Sequence, residues 1–430
     1  MSAFCYNLTE NIKQSHFEER GIDFMKKRFF MAALALAIAA ASLTGTCMYA
    51  GRLYTVQAET KAAAKADMQS VQQFGYELLE QYLSEKNPVM SPASAYVMLG
   101  MVGNGAKGTT LKEFQKVLGT DMVSAAQSLM EALPQQKDGT TLTIANSAWM
   151  DDEFTPKKKW LQTAQKQFQS EVFQENLDTN AVKNKINTWV SDRTNHLIPK
   201  LLDKKLDKET RLALVNALYF HADWQQKFHA EGTGEADFHL DNGKVKKVDM
   251  MHATIREGAY FKDDASEGVV LPYQDSNYAF VAVKPAKEES IRDWYASYSA
   301  EKLAALIDSR EEKTVELALP KFEMRCRMTL NDSLKKMGIK RAFDEKKADL
   351  SLLGKSQNDE NLYLSFVLQE AVISVAEEGT EAAAATIGAI AAGTAFMPDI
   401  PVVHFDRSFL YMIMDMESGA PVFMGVVDQP

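Results

Sequence analysis

Apolar positions along the chain fall into two kinds of pattern. Early on they recur at helical spacing: Phe74, Leu78, Leu79, Tyr82 and Leu83 share one face, so Met68–Leu83 reads as an amphipathic helix. Ser91-Pro92 opens a second helix, apolar on every side from Ala93 to Val102, because serine caps a helix start and proline suits its first turn. Pro156–Gln169 and Asn180–Arg193 are expected as further helices. Later the apolar runs are short and continuous: Leu212–Phe220, Ala279–Val283, Val315–Leu319, Tyr363–Val375, Phe409–Met416 and Val422–Val427, with Leu142–Met150 as an earlier example. Runs without polar alternation suit strands covered on both faces. Helices first and strands later point to an α+β fold. No Pro-, Gly- or Ser-rich linker interrupts 68–430, which reads as a single domain.

The first fifty residues follow other rules. Met25-Lys26-Lys27-Arg28 precedes Phe29–Leu43, apolar except for Ser42. A basic start and an apolar run shorter than the roughly 20 residues a bilayer needs have the shape of a secretory signal peptide. Residues 25–50 are assigned to it, and 51–67 to an N-terminal linker. Residues 1–24, polar and mixed in charge, are expected to be an upstream extension ahead of a natural start at Met25. Leu43-Thr44-Gly45-Thr46-Cys47 resembles a bacterial lipoprotein cleavage box, in which Cys47 would become the lipidated first residue. Cleavage after Ala50 or Ala41 is the alternative. The expectation is an exported protein, secreted, periplasmic or at the cell surface, meeting a membrane only through such an anchor.

Composition removes several function classes. With 48 Lys+Arg against 58 Asp+Glu the net charge is −10, which argues against nucleic acid as a partner. Cys5, Cys47 and Cys326 are too few and too scattered for a disulfide framework or a zinc site. His196, His221, His229, His239, His252 and His404 stand singly along the chain. HExxH, GxSxG, Walker and CxxC signatures are absent. Gly103–Gly108 spells GxGxxG, yet it follows a helical pattern where a dinucleotide fingerprint needs a strand, so it reads as a glycine-rich helix end and turn. The sequence therefore calls for no catalytic residue, no metal and no cofactor.

One segment stays unexplained by packing. Glu377-Glu378-Gly379-Thr380-Glu381-Ala382-Ala383-Ala384-Ala385-Thr386 follows the β-like Ala371–Val375 and continues in small and apolar residues to Met397. Propensity alone would make the alanine run a short helix. However, Glu378–Met397 contains no proline, so every amide could join a sheet ladder. Thr380, Ala382, Ala384, Thr386 and Gly388 alternate, and all are small. In a strand they would share one face and slip between layers at little steric cost.

This run resembles the hinge of inhibitory serpins. Asn87-Pro88-Val89-Met90-Ser91-Pro92-Ala93-Ser94 is similar to that family's N-terminal signature. Ile144-Ala145-Asn146, Ile186-Asn187-Thr188-Trp189-Val190, Leu214–Phe220 with Trp224, Leu271-Pro272-Tyr273, Leu319-Pro320-Lys321-Phe322 and Phe423-Met424-Gly425 follow in family order. The resemblance covers most of residues 70–430. It implies an α+β fold of three β-sheets with about nine helices and an exposed reactive-centre loop over about 377–400.

The implied function is that of a suicide-substrate inhibitor of extracellular proteases, not an enzyme. A target protease would attack the loop and form an acyl-enzyme, and the cleaved loop would then insert into the central sheet. The implied partners are target proteases, held by a monomer in a covalent acyl complex. Carried over, Glu377–Thr386 form the hinge, and Ser91, Ser94, Asn216 and Gln369 lie where the sheet must open, with Trp224 at the insertion point. Gln369-Glu370 replaces the family's usual His-Lys pair, and Ser408 replaces a usual proline. Counting seventeen residues from Glu377 places the reactive bond at Gly393-Thr394, with a cut nearer Phe396 or Met397 as the alternative. Small residues there suit elastase-like or subtilisin-like serine proteases, and also papain-like cysteine proteases. The lack of Arg or Lys between Thr380 and Met397 speaks against trypsin-like targets. A non-inhibitory serpin acting as carrier, chaperone or scaffold is the alternative.

Overall fold

The computed structural model describes residues 68–137, 139–358, 360–380 and 400–430. The assigned leader and linker segments, Cys47, Glu381–Thr386 and Gly393-Thr394 lie outside the described residues.

Phe74, Leu78 and Leu79 are fully buried, and their helix covers 68–80 before a turn over 81–84, shorter than the pattern predicts. The Ser91 hydroxyl accepts a hydrogen bond from Ser94 N at 3.3 Å and starts the helix Pro92–Gly103, buried on every side. That helix ends at the glycine-rich turn. A Cβ at Gly105 would lie 1.5 Å from Leu353 Cδ1, and Gly108, at φ 53°, begins the helix Gly108–Leu118. The GxGxxG lookalike is thus a junction between two helices, as its sequence context predicts.

Among the described residues there are nine α-helices and three main sheets. The large sheet runs in the order Phe322–Thr329, Phe366–Val375, Gly379–Thr380, Leu212–Asp223, Thr140–Asp151 and Gln135–Lys137, with Glu171–Glu175 parallel to Thr140–Asp151. A second seven-stranded sheet holds Tyr278–Pro285, Phe409–Asp415 and Ala420–Val427 at its middle. The third sheet runs Val402–His404, Val315–Pro320, Val245–Ile255 and Thr233–His239. This is the α+β architecture that the resemblance implies.

The order of helices and strands differs from the expectation in its second half. Ile291–Ser297, Ala300–Asp308 and Asn331–Met337 are helices set among strands. Ser290 and Ser299 cap the first two by accepting from Asp293 N and Lys302 N at 3.1 and 3.2 Å. Phe154–Pro156 is a short strand, so the helix expected from Pro156 begins at Lys158. Tyr363 lies outside the strand read there, which starts at Phe366.

The large sheet separates two cores. Leu214 and Val367 point into the main one, shared with the second sheet, whereas Val215 and Leu368 point into a smaller one. That smaller core lies under the helix Asn180–Arg193 and includes Trp149, Ile186, Trp189, Ile198 and Leu201. Successive strand residues face opposite ways, which is why neighbours in sequence serve different cores.

Candidate functional site

Two strands of the large sheet, Phe366–Val375 and Leu212–Asp223, pair directly only along part of their length. Their parallel register runs from Phe366 opposite Ala213 to Glu370 opposite Ala217. Beyond Glu370 they diverge, and Gly379–Thr380 occupies the gap. Thr380 pairs antiparallel with Val375 on one side and Ala222 on the other, and Gly379 pairs with Asp223. The sheet therefore contains a slot, filled two residues deep by the start of the sequence-predicted hinge.

Each residue at the slot mouth has a physical reason to be there. Ala376 N donates to Gly379 O at 3.0 Å and closes the turn that brings the chain back. A Cβ on Gly379 would sit 2.1 Å from Ala222 O, so only glycine approaches the neighbouring backbone this closely. The Thr380 side chain is 1% exposed, and its hydroxyl lies 2.5 Å from that of Tyr273. Trp224 stacks on Tyr273, and its indole Nε1 donates to Ala376 O at 2.8 Å. Trp224 N and Phe228 N donate to Glu378 O and Glu377 O at 2.9 and 3.0 Å.

Charge fixes the same turn. Lys321 Nζ lies 2.8 Å from Glu377 Oε2, and Thr233 Oγ1 donates to Glu377 Oε1 at 2.8 Å. Burial works against the Glu377 charge, but Lys321 and Thr233 outweigh it and hold the carboxyl below its usual range. Lys227 bridges Glu378 at 2.6 Å and Asp223 at 3.2 Å, and its hydrogen bond to Glu378 leads in pushing its own pKa upward.

Further along the seam lies a buried polar row. Gln369, Asn216 and Asn146 are register partners on three strands. Gln369 Oε1 accepts from Ser91 N at 3.0 Å, while its Nε2 donates to Ser91 O at 3.1 Å and to Asn216 Oδ1 at 3.0 Å. Asn216 Nδ2 donates to Ser94 Oγ, and also to Asn146 Oδ1 at 2.9 Å. Asn146 Nδ2 is buried without a hydrogen-bond partner. On the opposite face of the next row, the buried Glu370 carboxylate is held by Arg327 at 2.9 Å and Arg325 at 3.6 Å.

The structure thus gathers Ser91, Ser94, Asn216 and Gln369 into one cluster, and Trp224 with Glu377, Glu378, Gly379 and Thr380 into another at the slot mouth. Sequence reasoning missed Tyr273, Thr233, Lys321 and Lys227 as partners of the hinge, and Asn146 as a member of the polar row. Tyr273 and Lys321 stand inside quoted motifs, but nothing local says what they touch. Ser408 donates to Asp241 Oδ1 at 2.6 Å, a bond that the usual proline could not make.

Comparison with known proteins agrees with this geometry. A family model described as "Serpin (serine protease inhibitor)" matches residues 69–430. Iripin-1 of Ixodes ricinus is 30% identical over 369 residues, covering 83% of this chain and 93% of that protein. A "Serine protease inhibitor" of Cyanea capillata is 32% identical over 363 residues, covering 81% and 93%. The native-state structure of the thermophilic serpin Tengpin superimposes with a TM-score of 0.79 at 32% identity, covering 84% of this chain and 94% of that one. On these matches, and on the fold and motifs above, the chain belongs to the serpin family, a family of protease inhibitors and not of enzymes.

Proposed function

We propose that this serpin is a suicide-substrate inhibitor of extracellular proteases that traps the acyl-enzyme by inserting its cleaved reactive loop into the large sheet. The observation that carries this reading is the slot filled by Gly379 and Thr380. In an unbroken register, Glu381–Ala385 would complete it, with Ala385 arriving between Glu370 and Ala217. From Thr386 onward, each inserted residue would separate a pair that is now joined. Thr386 would enter between Gln369 and Asn216, and Ile387 between Leu368 and Val215. Thr380 faces the main core, so Ala382, Ala384 and Thr386 would face it too, and their small size suits a layer already packed.

Insertion exchanges a two-strand parallel contact for a three-strand antiparallel one. Each ladder bond gained contributes about 0.5–1.5 kcal/mol net, so a dozen or so suffice to drive a large rearrangement. Loop insertion in serpins is an established case of a fold releasing strain that it has stored. A protease carried along as an acyl-enzyme would lose the alignment of its triad and oxyanion hole, worth several kcal/mol of transition-state stabilisation, and deacylation would stall. The small residues around Gly393-Thr394 support elastase-like or subtilisin-like serine proteases as targets. The basic-apolar leader supports action outside the cytoplasm.

The test is incubation with elastase followed by denaturing electrophoresis. An SDS-resistant complex of serpin and protease is expected. Complete cleavage without complex would overturn this reading in favour of a carrier, chaperone or scaffold.

A further inference from the structure

We propose that His252 and His404 form a two-histidine site for a first-row transition-metal ion on the outer face of the four-stranded sheet. In register, His404 and His252 are both partners of Ala318, one from each side. Neighbouring strands lie about 4.8 Å apart, so the two backbones are roughly 9.6 Å apart. Their ring centroids nevertheless lie only 6.4 Å apart, with perpendicular planes. The rings lean toward each other over the Ala318 methyl, and a larger residue in that row would fill the space between them. Both histidines are exposed, and among the described residues neither imidazole has a hydrogen-bond or ion-pair partner.

The spacing suits shared ligation. With metal–nitrogen bonds of about 2.0–2.1 Å, two imidazoles in trans on one ion would have centroids roughly 6.4 Å apart and both planes containing the line between them, an arrangement the edge-to-face rings would reach by turning about their Cβ–Cγ bonds. A tetrahedral ion would require the rings to close by about 1 Å. Trans nitrogen ligands belong to tetragonal Cu(II) or Ni(II), and Cu(II) also leads the affinity order for a given nitrogen set.

The ion would have a mechanical effect. Among the described residues, Val402–His404 is an edge strand of three residues paired only with Val315–Pro320. A bridge from His404 to His252 ties that edge to the next strand but one and stabilises the folded state by mass action.

The experiment uses the metal-free full chain, titrated with Cu(II) and with Zn(II) by calorimetry and followed by Cu(II) electron paramagnetic resonance. Wild type is compared with His252→Ala and His404→Ala, and with His239→Ala as a control on the same sheet. Expected is a Cu(II) site with two equatorial imidazole nitrogens, tighter for Cu(II) than for Zn(II). Either site variant should weaken it by at least about tenfold, and His239→Ala should leave it unchanged. The thermal midpoint should rise with Cu(II) in wild type and not in the site variants. Both side chains are exposed, so the variants should fold, which circular dichroism checks. Wild-type Cu(II) affinity in both site variants, or a spectrum they leave unaltered, would overturn the site.

Discussion

Trp224 and Tyr273 stack face to face, with ring centroids 4.7 Å apart and planes 7° from parallel, and between them they hold both ends of the turn that starts the hinge. The Trp224 indole binds Ala376 O at one end, and the Tyr273 hydroxyl meets Thr380 Oγ1 at the other. Both rings are almost fully buried. The pair forms a buried wall beside Gly379 and Thr380, so on the proposed insertion mechanism substitutions at those two residues should separate inhibition from proteolytic susceptibility.

Thr380→Arg is expected to turn the inhibitor into a substrate. The side chain at 380 faces Tyr273 in the interior, where an unpaired guanidinium is costly, so the hinge would leave the slot. Cleavage by elastase should continue while the yield of SDS-resistant complex falls at least about tenfold, a change worth about 1.4 kcal/mol in partitioning. Thr380→Val fits a strand but leaves the Tyr273 hydroxyl unpaired; it should cost about 1–3 kcal/mol of stability and keep inhibition. Undiminished complex formation by Thr380→Arg would refute the insertion mechanism.

At Gly379 the constraint is steric. A Cβ placed 2.1 Å from Ala222 O forces the backbone apart, because the obstacle is a carbonyl and not the end of a flexible side chain. Gly379→Val should therefore raise hydrogen exchange at the Thr380 amide and increase the number of inhibitor molecules consumed per protease trapped. An unchanged exchange rate would show that the hinge keeps its place without glycine.

The Glu377 anchor should depend on pH. Lys321 and Thr233 hold its carboxyl below the usual value near 4.3, so the charged form is favoured by folding. Its contribution is complete above about pH 4.3 and is lost as pH falls through the lower folded-state value. Exchange or limited proteolysis at Ala376–Thr380 should rise in that acidic window. Glu377→Gln should show the looser turn already at neutral pH and flatten the acid response. Lys321→Ala should do the same from the other side of the pair.

How far the sequence revealed this site follows from what each residue's neighbours encode. Ser91 and Pro92 announce a helix start because capping is local, and the helix is found at Pro92–Gly103. Asn180–Arg193 is likewise legible through its spacing. The helices Ile291–Ser297 and Ala300–Asp308 are short and lie between strands, so their periodicity has little length in which to show. The alternation of Thr380 with small residues suggests a strand, but not how deep Thr380 sits in the sheet. That depth is set by Tyr273, Thr233 and Lys321, which lie 107, 144 and 56 residues away from the hinge residues they bind. Asn146 is visible in a motif, yet its unpartnered amide arises only from the register of three strands.

Gln369 organises the buried row, and replacing it should show how much the seam depends on it. Gln369→Leu leaves Ser91 N and Asn216 Oδ1 unpaired, while Ser91 O keeps the bond it accepts from Ala95 N at 3.1 Å. Each buried group left unsatisfied costs about 1–3 kcal/mol, so a loss of at least about 2 kcal/mol is expected in chemical denaturation of the intact chain. Gln369→His keeps part of the hydrogen-bonding capacity and adds an imidazole, whose ordinary pKa of about 6.5 burial pushes down. It should make the rate of complex formation change on acidification below about pH 6.5, relative to wild type measured with the same protease.

The same row makes the inserted state testable at Thr386. In the proposed inserted state residue 386 would come between Gln369 and Asn216, where it would break the 3.0 Å bond from Gln369 Nε2 to Asn216 Oδ1. A threonine hydroxyl can accept from the first and donate to the second, restoring both, and the unpartnered Asn146 amide lies in the same row. Valine has nearly the same shape and neither capacity. Thr386→Val should therefore lower the stability of the elastase-cleaved chain by about 1–3 kcal/mol, and by more than it lowers that of the intact chain. Denaturation midpoints of the two forms, measured side by side, give the difference. Equal effects on both would place residue 386 outside the row and break the proposed register, while leaving the slot at Gly379 and Thr380 as it stands.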